Sequence, residues 1–263
     1  MKLNVLPART GAQWVKLGFR TFFKQPLALG ALFLLFLIIL SLAMLIPQAG
    51  IVIALALVPA FTAGLMAAAR EADDGRIPLP AILFIAFQQG AARTRAMLAL
   101  GLLYAVAIMG VIGISWLIDG GRFLSVIAGS ADITSPEQLS ALALDSRFNA
   151  AMWVTITLYS LISLAFWHTP ALVHWHGVPP VKSLFFSSVA VLKNARPFLF
   201  YGALWLGLSL GAGAALQTLA VLSGNINILA LGMLSVSLFL GVVFFTSVWF
   251  TFRDSFAADQ PAS

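Results

Sequence analysis

Phe166-Trp167-His168-Thr169-Pro170-Ala171-Leu172-Val173-His174-Trp175-His176-Gly177-Val178-Pro179-Pro180 holds all 3 histidines of the chain and 3 of its 12 prolines. It closes a long apolar run and opens a polar segment. A run of that length reads as a helix crossing a bilayer, which needs about 20 residues at 1.5 Å each. The glycine and the proline pair then end the helix.

The composition agrees with that reading. Hydrophobic residues make up 61% of the 263 and charged residues 9%, with a mean hydropathy of +1.00. Soluble domains carry about 45–50% apolar and about 25% charged residues. The chain therefore reads as an integral membrane protein. With no cysteine, disulfides, thiolate metal sites and cysteine nucleophiles are excluded. The net charge of +6 concerns the membrane surface and not nucleic acid, because the basic residues lie at the edges of apolar runs.

Five further runs surround the quoted one. The spans expected are Pro26–Ile46, Ala49–Ala69, Ala96–Leu117, Ala151–His174, Pro197–Leu222 and Ile228–Thr251. They are too long, and alternate too little, for a transmembrane barrel. Met1 to Lys24 lacks the apolar core of a signal peptide. From Gly11 it reads as an amphipathic helix, with Lys16, Arg20 and Lys24 on one face and Trp14, Val15, Phe19, Phe22 and Phe23 on the others. Such a helix lies in the interface with its basic face towards anionic headgroups. Of the 15 Lys and Arg residues, only Arg122 and Arg147 fall on the side opposite the termini. That asymmetry predicts that both termini are cytoplasmic. The outer loop, 119–148, is acidic through Asp119, Asp132, Glu137 and Asp145. Within it Ser135-Pro136-Glu137-Gln138 reads as a helix start with a capping box, directing Leu139, Leu142 and Phe148 towards the membrane or the bundle.

A repeat is visible in the punctuation. Lys24-Gln25-Pro26-Leu27-Ala28-Leu29-Gly30, Arg95-Ala96-Met97-Leu98-Ala99-Leu100-Gly101 and Arg196-Pro197-Phe198-Leu199-Phe200-Tyr201-Gly202 each place a basic residue six positions before a glycine. Pro7, Pro80 and Pro180 mark the upstream ends. The fold expected is all-α and polytopic: one membrane domain of three units, about 7–70, 78–150 and 178–253, with a cytoplasmic tail at 254–263. Each unit is an in-plane amphipathic helix followed by two spans. The second in-plane stretch is Ala81–Gln89. The third is Val181–Asn194, with Ser183, Ser187 and Asn194 on a polar face and Phe185, Val189 and Leu192 on an apolar one. Gly207 and Gly211 form a GxxxG pair, overlapped by Ser209 and Gly213. Small residues let membrane helices approach closely, and packing inside the bundle is the expected use.

The interiors of the spans hold no Asp, Glu, Lys or Arg, and His168 is the one ionisable exception. That argues against a carboxylate proton relay and a charged channel filter. Pro170 reads as the single strong interior breaker, a weak form of the discontinuous-helix signature of transporters. His168 and His174 are six apart, on different faces of a helix, and no carboxylate lies near in sequence, so a metal site is not expected. Trp167 and Trp175 read as interfacial anchors, with His174 and His176 at headgroup depth and His168 bonding across the bundle. No Walker A, HExxH or GxSxG motif occurs, and the chain reads as no enzyme, without a cofactor.

The run from Phe166 through Pro180 and on through Val181-Lys182-Ser183-Leu184-Phe185-Phe186-Ser187 resembles the most distinctive segment of an uncharacterised family of proteobacterial integral membrane proteins. Met1 to Arg9 and Arg70-Glu71-Ala72-Asp73 resemble that family too. The resemblance implies an inner-membrane protein of a Gram-negative bacterium and transfers no activity. It makes His168, Pro170, His174, Trp175, His176, Pro179 and Pro180 the stretch to examine. Lys16, Arg20, Lys24, Lys182, Lys193 and Arg196 are the expected leaflet-facing cations. The partners expected are anionic lipids of the cytoplasmic leaflet, with a second copy or another membrane protein left open. Two functions follow: a lipid-interacting or assembly component, or a small transporter or pore for an uncharged or lipid-like solute.

Overall fold

The computed structural model describes residues 2–131 and 135–257. Asp132 of the acidic loop and most of the 254–263 tail lie outside them, and the side chain of Leu139 is not described. The order is β1 (Lys2–Leu3), α1 (Thr10–Lys24), α2 (Pro26–Met44), α3 (Gly50–Asp73), a 3-10 segment (Pro80–Phe87) and α4 (Ala91–Asp119). Then come α5 (Arg122–Ile127), α6 (Pro136–Leu144), α7 (Ser146–Phe166), α8 (Thr169–His176), α9 (Pro180–Lys193), α10 (Ala195–Ser223), α11 (Ile226–Ser255) and β2 (Phe256–Ala257). The architecture is all-α apart from the two-residue strands. Six helical segments among the described residues are long and apolar enough to cross a membrane: α2, α3, α4, α7 together with α8, α10 and α11.

The chain ends meet. Lys2 pairs with Ala257 and Leu3 with Phe256, antiparallel. Asn4 N–H donates to Ser255 O at 3.0 Å, and Trp14 Nε1 donates to Asp254 Oδ2 at 2.9 Å. Both ends therefore sit at one end of the bundle, which we call the terminal end. The core lies there as well. Buried residues crowd the first half of α2 (Leu29, Leu32, Phe33, Phe36), the second half of α3 and the stretch from Val242 to Ser255 of α11.

Glycine permits the closest crossings. Gly101 of α4 rests on the Ala56 carbonyl of α3, and Gly11 of α1 rests on the Pro197 carbonyl of α10. A Cβ on Gly18 would lie 2.6 Å from Ser247 Cβ of α11. The repeated glycines are not equivalent, since nothing lies within 4 Å of a Cβ built on Gly30 or Gly202. The GxxxG pair departs from its expected role too: Gly207 and Gly211 are exposed and meet nothing within 4 Å, so they do not pack inside the bundle. Ser209 and Gly213 lie on another face, which lines a gap against α11.

The three short segments differ. α1 buries Trp14, Val15 and Phe22 against the bundle and leaves Lys16 and Arg20 exposed, as its pattern requires. Lys24 is exposed as well, and its Nζ pairs with Asp73 Oδ1 at 3.1 Å and donates to Asp73 O at 2.6 Å. Arg253 reaches the same carboxylate at 3.5 Å. The second segment is 3-10 and apolar all round, and Leu83 and Ala86 are buried because Gly64 of α3 lets its backbone come close. α9 is amphipathic, but its polar face points inward: Ser183, Ser187 and Asn194 are buried while Phe185 and Leu192 are exposed. In the loop between α5 and α7, Ser135 caps α6 with the full capping box, its Oγ accepting from Gln138 N–H.

Candidate functional site: the broken fourth span

The quoted stretch is broken and not merely kinked. α7 ends at Phe166 and α8 begins at Thr169, with Trp167 and His168 between. Pro170 is the cause. It has no N–H to give the Phe166 carbonyl, and its ring would clash with that carbonyl in a continuous helix. Freed backbone groups inside a membrane must find other partners. α9 supplies them. His168 N–H donates to Ser187 Oγ at 3.0 Å, and Ser187 Oγ donates to Leu164 O at 3.2 Å. Thr169 Oγ1 lies 2.8 Å from Ala165 O and 3.2 Å from Ser183 O. Ser183 and Ser187 are one helical turn apart, so a single face of α9 meets the break.

His168 is fully buried. Its Nε2 lies 3.3 Å from Thr251 Oγ1, and Trp167 Nε1 donates to that same oxygen at 3.0 Å. The rings of Phe198, Phe252 and Phe256 enclose the imidazole, and its Nδ1 has no partner among the described residues. The expected bond across the bundle is thus made to α11.

The other end of α8 is held by residues that sequence reasoning did not single out. Gly177 ends the helix at φ +63°, and Val178 N–H bonds back to Leu172 O at 3.2 Å. Arg93 Nη1 donates to His174 O at 2.7 Å, a cation at a helix C-terminus where the dipole favours it. Gln89 pairs with Arg93 and places its Nε2 3.1 Å from His174 Nε2. The signal was present in the sequence, since Arg93 follows the 3-10 segment by a few residues, but the pairing spans 81 positions. Trp175 is half-buried, stacked on Phe252 at 5.5 Å, and His176 is exposed with its ring 5.9 Å from Phe252. Pro179 and Pro180 open α9, Pro180 as its first residue. His168 and His174 therefore face different neighbours. No group of three metal-ligating side chains occurs among the described residues.

Beside the break lies a cavity of about 450 Å³, bounded by α3, α4, α7 and α11. Trp167 and Pro170 border it, with Tyr104, Tyr159 and Ser163 among its polar groups. His168 does not line it. Pro59 does, a second interior proline, though α3 stays helical through it.

The chain is 35% identical to a probable inner membrane protein of Burkholderia thailandensis over 265 aligned positions, covering 100% of this chain and 97% of that protein. It belongs to that protein's family. The relative is proteobacterial, which agrees with the source expected from the Phe166–Ser187 segment. Together with the six long apolar helices, this makes the chain a multi-pass inner-membrane protein. No protein-family model matches the chain, and no solved structure matches it.

Proposed function

We propose that the protein is a non-enzymatic, lipid-interacting component of the inner membrane whose helices α1 and α9 engage the anionic cytoplasmic leaflet. The observation that carries this reading is the inverted polarity of α9. Phe185, Phe186 and Leu192 face outward between the exposed Lys182 and Lys193. An apolar face flanked by lysines suits the boundary between acyl chains and headgroups, where the ammonium groups reach lipid phosphates. Each such cation contributes about 1 kcal/mol near an anionic surface. Lys16, Arg20 and Arg196 extend the same basic rim, since α1 rests on α10 at Pro197. Because the buried side of α9 holds the freed backbone of the break, lipid packing at Phe185 and Leu192 is transmitted to His168. On this reading the Phe166–Ser187 segment is the part of the family that carries its role.

The test uses the full chain, because an isolated α1 peptide would expose Trp14, Val15 and Phe22, which the bundle buries. In nanodiscs, anionic lipid should raise thermal stability over zwitterionic lipid at low salt, and high salt should shrink that gain. Lys182→Glu with Lys193→Glu should remove most of it, and Lys16→Glu with Arg20→Glu part of it. Equal stability in both lipids would defeat the reading. Orientation is tested separately: a reporter at Ser130 should read as extracytoplasmic and one at Ala72 as cytoplasmic, following the placement of Lys and Arg.

The cavity favours a second reading, a carrier for an uncharged or lipid-like solute. Thr62, Ser160 and Ser163 give it some polarity, whereas Trp167, Pro170 and Val248 close its terminal side. Solute flux in proteoliposomes separates the two readings.

A further inference from the structure

We propose that the cavity between α3, α4, α7 and α11 is a binding site for a neutral, mostly apolar molecule that carries one hydroxyl or carbonyl group and enters sideways from the bilayer. This goes beyond leaflet engagement, which uses charge and takes place on the surfaces of α1 and α9.

Four observations meet here. The volume of about 450 Å³ falls within the range of about 300–1,000 Å³ usual for small-molecule sites. The walls are mainly apolar: Val58, Leu164, Phe166 and Phe244 among them. No charged side chain lines the cavity, so an ionised headgroup would sit in hydrocarbon without a partner, a costly arrangement. The polar groups are all neutral and converge from two sides. Tyr104 of α4 and Tyr159 of α7 both line it, and the Ser163 hydroxyl has no hydrogen-bond partner among the described residues.

Two of the wall helices carry an interior proline. α3 stays helical through Pro59, which leaves the Leu55 carbonyl without its helical donor, and the fourth span breaks before Pro170. A broken span beside a cavity is a recurrent setting of substrate sites in transporters. The entrance follows from the packing. α7 runs along α4 and α9, and α11 along α1, α3 and α10, so the cavity occupies the space left between α7 and α11. Tyr159 at that mouth is 51% exposed, which places its ring where an entering molecule would pass.

The experiment is photolabelling of the full-length protein in nanodiscs with a diazirine-bearing long-chain alcohol, mapped by mass spectrometry. Label is expected on Val58–Thr62 and Tyr159–Leu164, with competition by dodecanol and not by dodecanoate at neutral pH. Tyr159→Phe with Ser163→Ala should weaken the dodecanol competition about two- to tenfold, the size of one hydrogen bond. Val58→Trp, which fills the cavity, should abolish the labelling of those two stretches while any label on the lipid face of α10 persists. If Val58→Trp does not fold, the Tyr159–Ser163 pair carries the test, since both side chains are only partly covered. Labelling equal on α7 and on the outward face of α10, or competition by dodecanoate as strong as by dodecanol, or no response in a folded variant, would overturn the proposal.

Discussion

α11 divides the molecule into two unlike halves. From Val242 to Ser255 its side chains are largely buried, packed on α1, α3 and α10, and from Asn227 to Gly241 none is. Whole spans differ as well: 56% of the apolar window of α3 is buried, but only 6% of the window in the fourth span. Ala151 is the one buried residue among the described side chains of α7. The terminal half is a protein core with aromatic clusters and hydrogen-bonded ends. The far half is largely apolar surface fit for lipid, and its buried residues are few: Ile108, Val111, Ser115 and Asp119 of α4, Phe123 and Ala151 among them. Hydropathy alone does not distinguish them, because a residue suited to lipid is equally suited to a core.

The contrast is most exposed to test at glycine. Gly101→Leu must push α3 away at Ala56, and a loss of about 1–3 kcal/mol or more is expected in reversible unfolding from mixed micelles. Gly207→Leu, about as far along α10 but on a face with nothing within 4 Å, should stay within about 0.5 kcal/mol. Equal losses would erase the distinction between packed and open faces. Asn194→Leu comes next. Its amide joins Leu6 N–H at 2.8 Å to Asn4 O at 2.9 Å, and removing it strands both, for about 1–3 kcal/mol each. Proteolysis of the N-terminal strand should then rise before any span is released.

Thr251→Val sharpens the picture at the break. It removes the oxygen shared by Trp167 and His168, and a loss of about 1 kcal/mol with a shift in Trp167 emission is expected. The smallest effect lies at the far end and depends on pH. Asp145 accepts from the N–H groups of Arg147 and Phe148, and these, with Arg122 beside it, hold its carboxyl below the ordinary carboxylate range. A depressed folded value adds stability above the unfolded pKa of about 4, and that stability is lost as pH falls through the folded value. Amide exchange at Phe148 should therefore quicken in acid, with the terminal half unaffected.

Much of the fold is legible in the sequence because it rests on local signals. Run length marks the six long helices, and Ser135-Pro136-Glu137-Gln138 marks α6 down to its capping box. The polar and apolar faces of α9 are legible as faces, but their surroundings are not. In water a polar stripe looks outward, but beside a broken membrane helix Ser183 and Ser187 are needed inside, where backbone groups lack partners. The pairing of Lys24 with Asp73 is not legible, because the two are 49 positions apart. Arg93 is hidden for the same reason. GxxxG states that close approach is allowed, not that a neighbour is present. Pro59 escapes notice inside a run of Ala, Val and Leu that reads as uninterrupted helix.

The joined chain ends bear on how the protein is made. Trp14 waits for Asp254, 240 residues later, and Lys2 and Leu3 wait for Phe256 and Ala257. At about 5–20 residues per second of synthesis, that interval is roughly 10–50 s. For most of it α1 has neither α10 nor α11 to cover Trp14, Val15 and Phe22, and the membrane surface is the nearest apolar shelter. The residues from Asp254 to Ala257 therefore act as a latch, fastening the N-terminal strand and Trp14 after α10 and α11 have given α1 its seat.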